Sequence, residues 1–292
     1  MENLKLPSYG GQALIEGVLM RGSKGLAAAM RAPDGHIEVK TEQLSGIYKS
    51  NFRNIPFLRG LLLLWDALGL GIRYLTLSAN LQTGDDEKIE GPTLYFTLIL
   101  SLGISIALFF VLPALTGQGL EILFGWNAWI GNLMEGLIRL LIMVLYIWGI
   151  GRLPDIKRVF SYHGAEHKTI NAYESGLEIT SSTVMQASKV HPRCGTSFLL
   201  TVILLSIVLF SALGPLSIVM RLISRIVLIP FVACVAYEYI RWISKNLKSP
   251  IVRTIIKPNL ALQRLTTLEP TQEMVEVSIT AFKAMLKIEE AQ

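Results

Sequence analysis

The sequence predicts a mainly α, polytopic membrane protein. About four transmembrane helices and an interfacial helix carry a small cytoplasmic α+β part with an N-terminal β-hairpin. Three observations predict this class. The chain of 292 residues is 51% hydrophobic and only 17% charged, against about 25% charged in soluble domains, and its mean hydropathy is +0.48. Four segments approach the roughly 20 apolar residues that a bilayer crossing needs. Between residues 26 and 43 the pattern switches to strand-like alternation around Asp34-Gly35, a hairpin signal.

From the N-terminus, residues 1–55 read as a cytoplasmic β-rich segment. "HIEVK" alternates apolar and polar residues, as a half-buried strand does. His36 beside the turn reads as a surface residue. The first residues lack the basic start and continuous apolar core of a secretory signal, so insertion is expected to depend on an internal span. Residues 56–92 form an interfacial or re-entrant helix and a linker. Asn54, Arg59, Asp66, Arg73 and Asn80 recur about every seven residues, placing them along one helical stripe. A full crossing would carry Arg59 and Asp66 into hydrocarbon, which is costly. The helix is therefore read as lying at the interface, with a fifth span as the alternative.

Residues 93–150 carry the first two spans, about 93–113 and 130–150, and residues 197–242 the other two, about 197–217 and 222–242. The 114–129 connection has no Lys or Arg, whereas 151–196 contains Arg152, Lys157, Arg158, Lys168, Lys189 and Arg193. The positive-inside bias then places the 151–196 loop and both termini in the cytoplasm, the protein being multi-pass in the cell membrane. Arg221 and Arg225, at the outer end of the fourth span, are expected to snorkel to the interface. Glu135 and Arg139 are spaced to pair on one helix. Residues 243–292 form a cytoplasmic tail ending in an amphipathic helix, with Thr271 as its N-cap and Met274, Val275, Phe282, Met285 and Leu286 on its apolar side. The net charge of +5 reads as cytoplasmic-loop basicity, and no motif points to nucleic acid. Membrane lipid, and other membrane proteins, are the expected partners; oligomeric state stays open.

The chemistry concentrates in 151–196. Of four histidines in the chain, His163 and His167 flank Glu166, and His191 precedes Cys194, one of two cysteines. His163 and His167 share a helical face, and H-x-x-E-H is a reversed zincin arrangement. Glu174 lies two turns further on the same face. Imidazole and thiolate suit zinc, which makes zinc the expected cofactor, with His163, His167, His191, Cys194 and Glu174 as candidate ligands. A closed four-ligand shell would be structural. Three protein ligands would leave a position for an activated water, with Glu166 or Glu174 as general base and Glu16 as a further catalytic candidate. A third reading has no metal, the histidines hydrogen-bonding nearby carboxylates. In "YGGQALIEGVLMRG", Glu16 and Arg21 either pair around a structural turn, or Glu16 lines the histidine pocket while Gln12 and Arg21 serve binding, Arg21 for an anionic group such as a lipid phosphate. Whether the protein is an enzyme stays open. A metal-dependent hydrolase at the membrane leads, and a non-catalytic scaffold for other membrane proteins is the alternative.

"GGQALIEGVLMRG", "IPFLRG", "YHGAEHKTINAYE", "HPRCGTSFL" and "LQRLTTLEP", spread over nearly the whole chain, resemble the YqhQ-like family of bacterial membrane proteins. The resemblance implies multi-span proteins, loosely labelled metal-dependent, with no established reaction. It adds weight to Gln12, Glu16, Arg21, His163, Glu166, His167, Glu174, His191 and Cys194.

Overall fold

The computed structural model describes residues 9–44, 55–83 and 88–291. Asn54 of the polar stripe lies outside the described residues, as does the side chain of Asp66. The chain starts as an antiparallel sheet of sequential order: β1 (Gly10–Leu14), β2 (Gly17–Arg21), β3 (Gly25–Arg31) and β4 (Ile37–Gln43). The Asp34-Gly35 turn joins β3 to β4, with Arg31 opposite Ile37 and Gly35 at φ +92. The sheet extends the expected hairpin by two strands. β2 and β3 are apolar on both faces because both faces are covered. Val18, Met20, Ala27 and Ala29 meet one layer of helices, and Leu14, Leu19, Leu26, Ala28 and Met30 meet another.

The second layer is α1 (Leu58–Thr83), which packs Leu70, Tyr74 and Leu81 onto the sheet. Its opposite side exposes Leu61, Trp65 and Leu68. Of the striped polar groups, Arg59 pairs with Glu238, Arg73 Nη1 reaches Glu42 at 2.9 Å, and Asn80 Oδ1 accepts from Ile89 N at 2.9 Å.

Next comes one 34-residue helical stretch, Gly91–Phe124, built from α2 (Gly91–Ile106), a π-helical turn (Ala107–Val111) and α3 (Leu112–Phe124). Pro113 has no N–H to give Phe109, four residues back. The Phe109 carbonyl instead accepts from Arg139 Nε at 2.8 Å. α4 (Ala128–Ile150) packs on α3 and α7. Its Asn127 N-cap accepts from Ile130 N. α5 (Pro154–Glu174) and α6 (Ser181–Gln186) follow, then α7 (Gly195–Ser211), α8 (Ile218–Val227), α9 (Ile229–Lys245), α10 (Pro250–Ile255), α11 (Lys257–Gln263) and α12 (Gln272–Glu290).

Among the described residues two helices, Gly91–Phe124 and Ala128–Ile150, are long and apolar enough to cross a membrane, and α8 with α9, bent by 44°, would make a third. The expected third span is α7, which at 17 residues is about 26 Å long, short of the roughly 30 Å of hydrocarbon. It ends at Ser211, and the chain turns through Gly214, φ +71. The expected 114–129 connection is mostly helix, since α3 continues to Phe124.

The two arginines expected to snorkel are buried inside the protein instead. Arg221 and Arg225 are 1% and 0% exposed. Glu135 and Arg139, the latter the middle residue of α4, are buried inside the bundle and pair with each other as their spacing predicts.

α12 lies across β2 and β3, and α5 across β1. Phe282 and Met285 fill the space between them with Tyr162 and Ile170. The α12 end is anchored where Glu289 accepts from Ser23 Oγ and from Lys24 N, each at 2.6 Å.

Candidate metal centre

α5 begins where α4 ends, and Cys194 is the N-cap of α7. The histidine window therefore sits at the junction of the sheet domain and the long apolar helices. His163 and His167 stand one turn apart on α5, their ring centroids 4.4 Å apart. His163 Nδ1 lies 2.9 Å from the Thr266 carbonyl and His167 Nδ1 2.8 Å from that of Lys189. A carbonyl only accepts, so each Nδ1 carries the proton and each Nε2 presents a lone pair, the orientation that metal-ligating histidines take. Cys194 Sγ is 3.3 Å from His163 Nε2. One ligand atom from each of His163, His167 and Cys194 lies within 4.8 Å of the other two. A tetrahedral zinc with bonds of about 2.0–2.3 Å holds its ligand atoms roughly 3.3–3.8 Å apart. The Cys194–His163 pair already stands at that spacing.

Glu166 points to the same place. Its Oε2 is 3.8 Å from His163 Nε2 and 3.9 Å from His167 Nε2. Burial pushes its carboxyl up to about 7, with His163 pulling the other way. Two glycines make this packing possible. A Cβ on Gly11 of β1 would fall 2.8 Å from the Glu166 carboxylate, so the strand backbone itself walls the acid. A Cβ on Gly164 would collide with the Leu268 carbonyl. The glycine that weakens α5 locally is what lets the helix approach the segment carrying Thr266.

His191 is nearby, its ring 5.8 Å from that of His167, but both its nitrogens are engaged. Nδ1 accepts from Arg193 N at 3.4 Å and Nε2 donates to Glu174 at 3.3 Å. Burial holds the imidazole below its ordinary value. Burial pushes Glu174 up, but hydrogen bonds from His191 and Arg193 outweigh it and hold the carboxylate low. His191 and Glu174 thus brace each other and Arg193, beside the three-residue group.

Glu16 occupies the β1–β2 turn at φ +51. Its carboxylate accepts from Arg158 Nε at 2.5 Å, Arg158 Nη2 at 2.6 Å and Tyr162 Oη at 3.2 Å. Hydrogen bonding from Arg158 holds it below the usual carboxylate range. It ties the sheet to α5 a turn before the histidines. Gln12 faces α1, its Oε1 lying 2.5 Å from where a Gly71 Cβ would stand. Arg21 closes β2, half-buried and in register with Leu26.

Several supporting residues carried no assigned role in the sequence reading. Gln263, fully buried, donates to the His191 carbonyl at 2.8 Å and accepts from His191 N at 3.0 Å. Thr196 and Thr266 hydroxyls meet at 3.0 Å, and Asn171 Nδ2 holds the Ser188 and Val190 carbonyls at 2.6 and 3.0 Å. Their signal was polarity inside "INAYE", "HPRCGTSFL" and "LQRLTTLEP", the same stretches that carry the resemblance.

Fold and site together define a helical protein with membrane-length apolar helices, a small sheet, and a His/His/Cys group of metal-ligating type at their junction. The profile of the family described as "Protein of unknown function (DUF1385)" matches residues 55–288, and the chain belongs to that family. It is 35% identical over 298 residues to the "Uncharacterized protein YqhQ" of Bacillus subtilis (strain 168), covering 97% of this chain and 93% of that protein. No solved structure matches.

Proposed function

We propose that the protein is a multi-pass membrane protein binding zinc through His163, His167 and Cys194, and that it acts as a metal-dependent hydrolase at the membrane surface. The observation that carries this is the convergence of two Nε2 lone pairs and a thiol sulfur next to the Glu166 carboxylate. Three protein ligands leave a fourth position open, the arrangement of catalytic zinc sites. Zinc bound there supplies Lewis acidity. Glu166 is the group placed to take a proton, and the Thr266 and Lys189 carbonyls keep both imidazoles in the ligating tautomer. The helices Gly91–Phe124 and Ala128–Ile150, α7 lengthened by the residues 212–217 that follow it, and α8 with α9 make four crossings. The basic 151–196 segment and both termini lie in the cytoplasm, and α1 rests on the lipid through Leu61, Trp65 and Leu68.

A second reading is favoured by one distance set. Glu166 Oε2 lies about one tetrahedral edge from both histidine nitrogens, so it can close the shell as a fourth ligand and make the site structural, in a scaffold for other membrane proteins. Metal analysis of detergent-purified protein tests the shared claim: one zinc per chain is expected, and none in His163→Ala/His167→Ala. A wild type without metal ends both readings. Cobalt-substituted protein separates them. A visible spectrum that shifts on adding a hydroxamate means an open position, and one that does not means a closed shell.

A further inference from the structure

At the end of the bundle away from the His/His/Cys group, α3, α4 and α8 bury a second set of charges. Arg225 Nε and Nη2 donate to Glu135 at 2.9 and 2.8 Å, and Nη2 also to Asn132 Oδ1 at 2.6 Å. Arg139 Nη2 donates to Glu135 at 2.7 Å, and Arg221 Nη2 to Glu121 at 2.8 Å. Glycines make room for both acids: Glu135 packs on Gly117 of α3, and Glu121 on Gly131 of α4. Phe210 stacks beneath the Arg225 guanidinium at 4.4 Å.

Two features of this cluster are unbalanced. Three guanidinium groups face two carboxylates, leaving one positive charge over. The leftover hydrogen-bonding capacity is on the donor side. Arg221 Nε, Arg221 Nη1 and Asn132 Nδ2 are buried without an acceptor, on residues 1% and 2% exposed. Both residues border Glu121, which accepts from Arg221 and packs on Gly131, the residue before Asn132. A buried ionisable cluster among apolar helices marks a functional site by default. Around it α8 exposes Val219, Met220 and Ile223, the kind of surface that faces acyl chains.

We propose that Arg221 and Asn132 bind one oxyanion of the phosphate class. A phosphodiester fits both imbalances: it carries a single negative charge, and its oxygens accept without donating. Such a group comes from an anionic lipid headgroup or from a soluble phosphate, and the site is independent of the metal.

Native mass spectrometry of the full chain in detergent, with phosphatidylglycerol, phosphatidylcholine or inorganic phosphate as probes, tests this. One phosphatidylglycerol is expected to be retained where phosphatidylcholine is not, with retention at least tenfold weaker in Arg221→Gln. Inorganic phosphate that raises the melting temperature of the delipidated protein and displaces the lipid assigns the same site to a soluble anion. Should Arg221→Gln fail to fold, Glu121→Gln carries the test in the opposite sense: with its competing carboxylate gone, Arg221 is expected to hold phosphatidylglycerol more tightly. A wild type that treats all three probes alike, with Glu121→Gln unchanged, overturns the proposal.

Discussion

Gly164 and Glu16 illustrate how single residues set this site. At Gly164 the Leu268 carbonyl occupies the space that a methyl group would need. Gly164→Ala is therefore expected to cost about 1–3 kcal/mol as overpacking, and to weaken metal retention by moving the Thr266 segment off His163. Gly149, with nothing near its Cβ position, is the control: Gly149→Ala should gain about 0.5–1 kcal/mol from ordinary helix preference. Denaturant titration in detergent measures both, and equal effects would refute the packing account. Glu16 gives a pH prediction. Its folded-state pKa lies below the ordinary 4.5 because Arg158 hydrogen-bonds the carboxylate. Its contribution is thus fully present above that value and is lost as pH falls through the folded-state value. The stability advantage of wild type over Glu16→Gln should be complete at neutral pH and shrink below about pH 4.5; a constant difference across that range would contradict it. The H-x-x-E-H face was legible because helical spacing fixes which side chains share an azimuth. The partner of Glu16, 142 residues away, was not, because nothing local encodes which guanidinium arrives. The engagement of His191 was hidden for the same reason. It depends on how Glu174 and Arg193 turn once α5 and the loop before α7 are docked.

Among the elements, α12 carries the clearest expectation. Its buried face completes the core over β2 and β3, and Phe282 touches the rings of Tyr9 and Tyr173 at centroid distances of 5.8 and 5.0 Å. Phe282→Ala should cost about 3–5 kcal/mol, read as a lowered denaturation midpoint of the sheet domain, while substitution of exposed Lys283 should cost little. The N-cap and apolar face of this helix were readable because both are local patterns. The two-sided burial of the sheet was only partly readable: "GLAAAM" lacks alternation because α1 covers one face and α12 the other. The continuation of α3 through Gly117 and Gly119 was not. Two glycines and a glutamate look like a connection, yet Gly117 is where Glu135 packs. Helix lengths in the bundle follow tertiary contacts that hydropathy windows do not contain.

On the scale of the whole molecule, the proposed orientation makes the sheet domain cytoplasmic and the α7–α8 turn external. An impermeant maleimide on intact cells should label Leu213→Cys, and should label Glu178→Cys only after lysis; the reverse pattern would invert the topology. The native thiols, Cys194 and Cys234, are both buried, which keeps the background low. Gly91–Phe124 is about 51 Å long, well beyond the hydrocarbon thickness, so in the proposed crossing it must tilt or project from the bilayer. One sulfur joins the two halves of the protein. Cys194 Sγ is a member of the His/His/Cys group and also accepts the Thr196 N–H that opens α7. On the proposed metal reading, linkage runs in both directions: whatever factor the seating of α7 contributes to ion affinity, ion occupancy returns to the seating of α7.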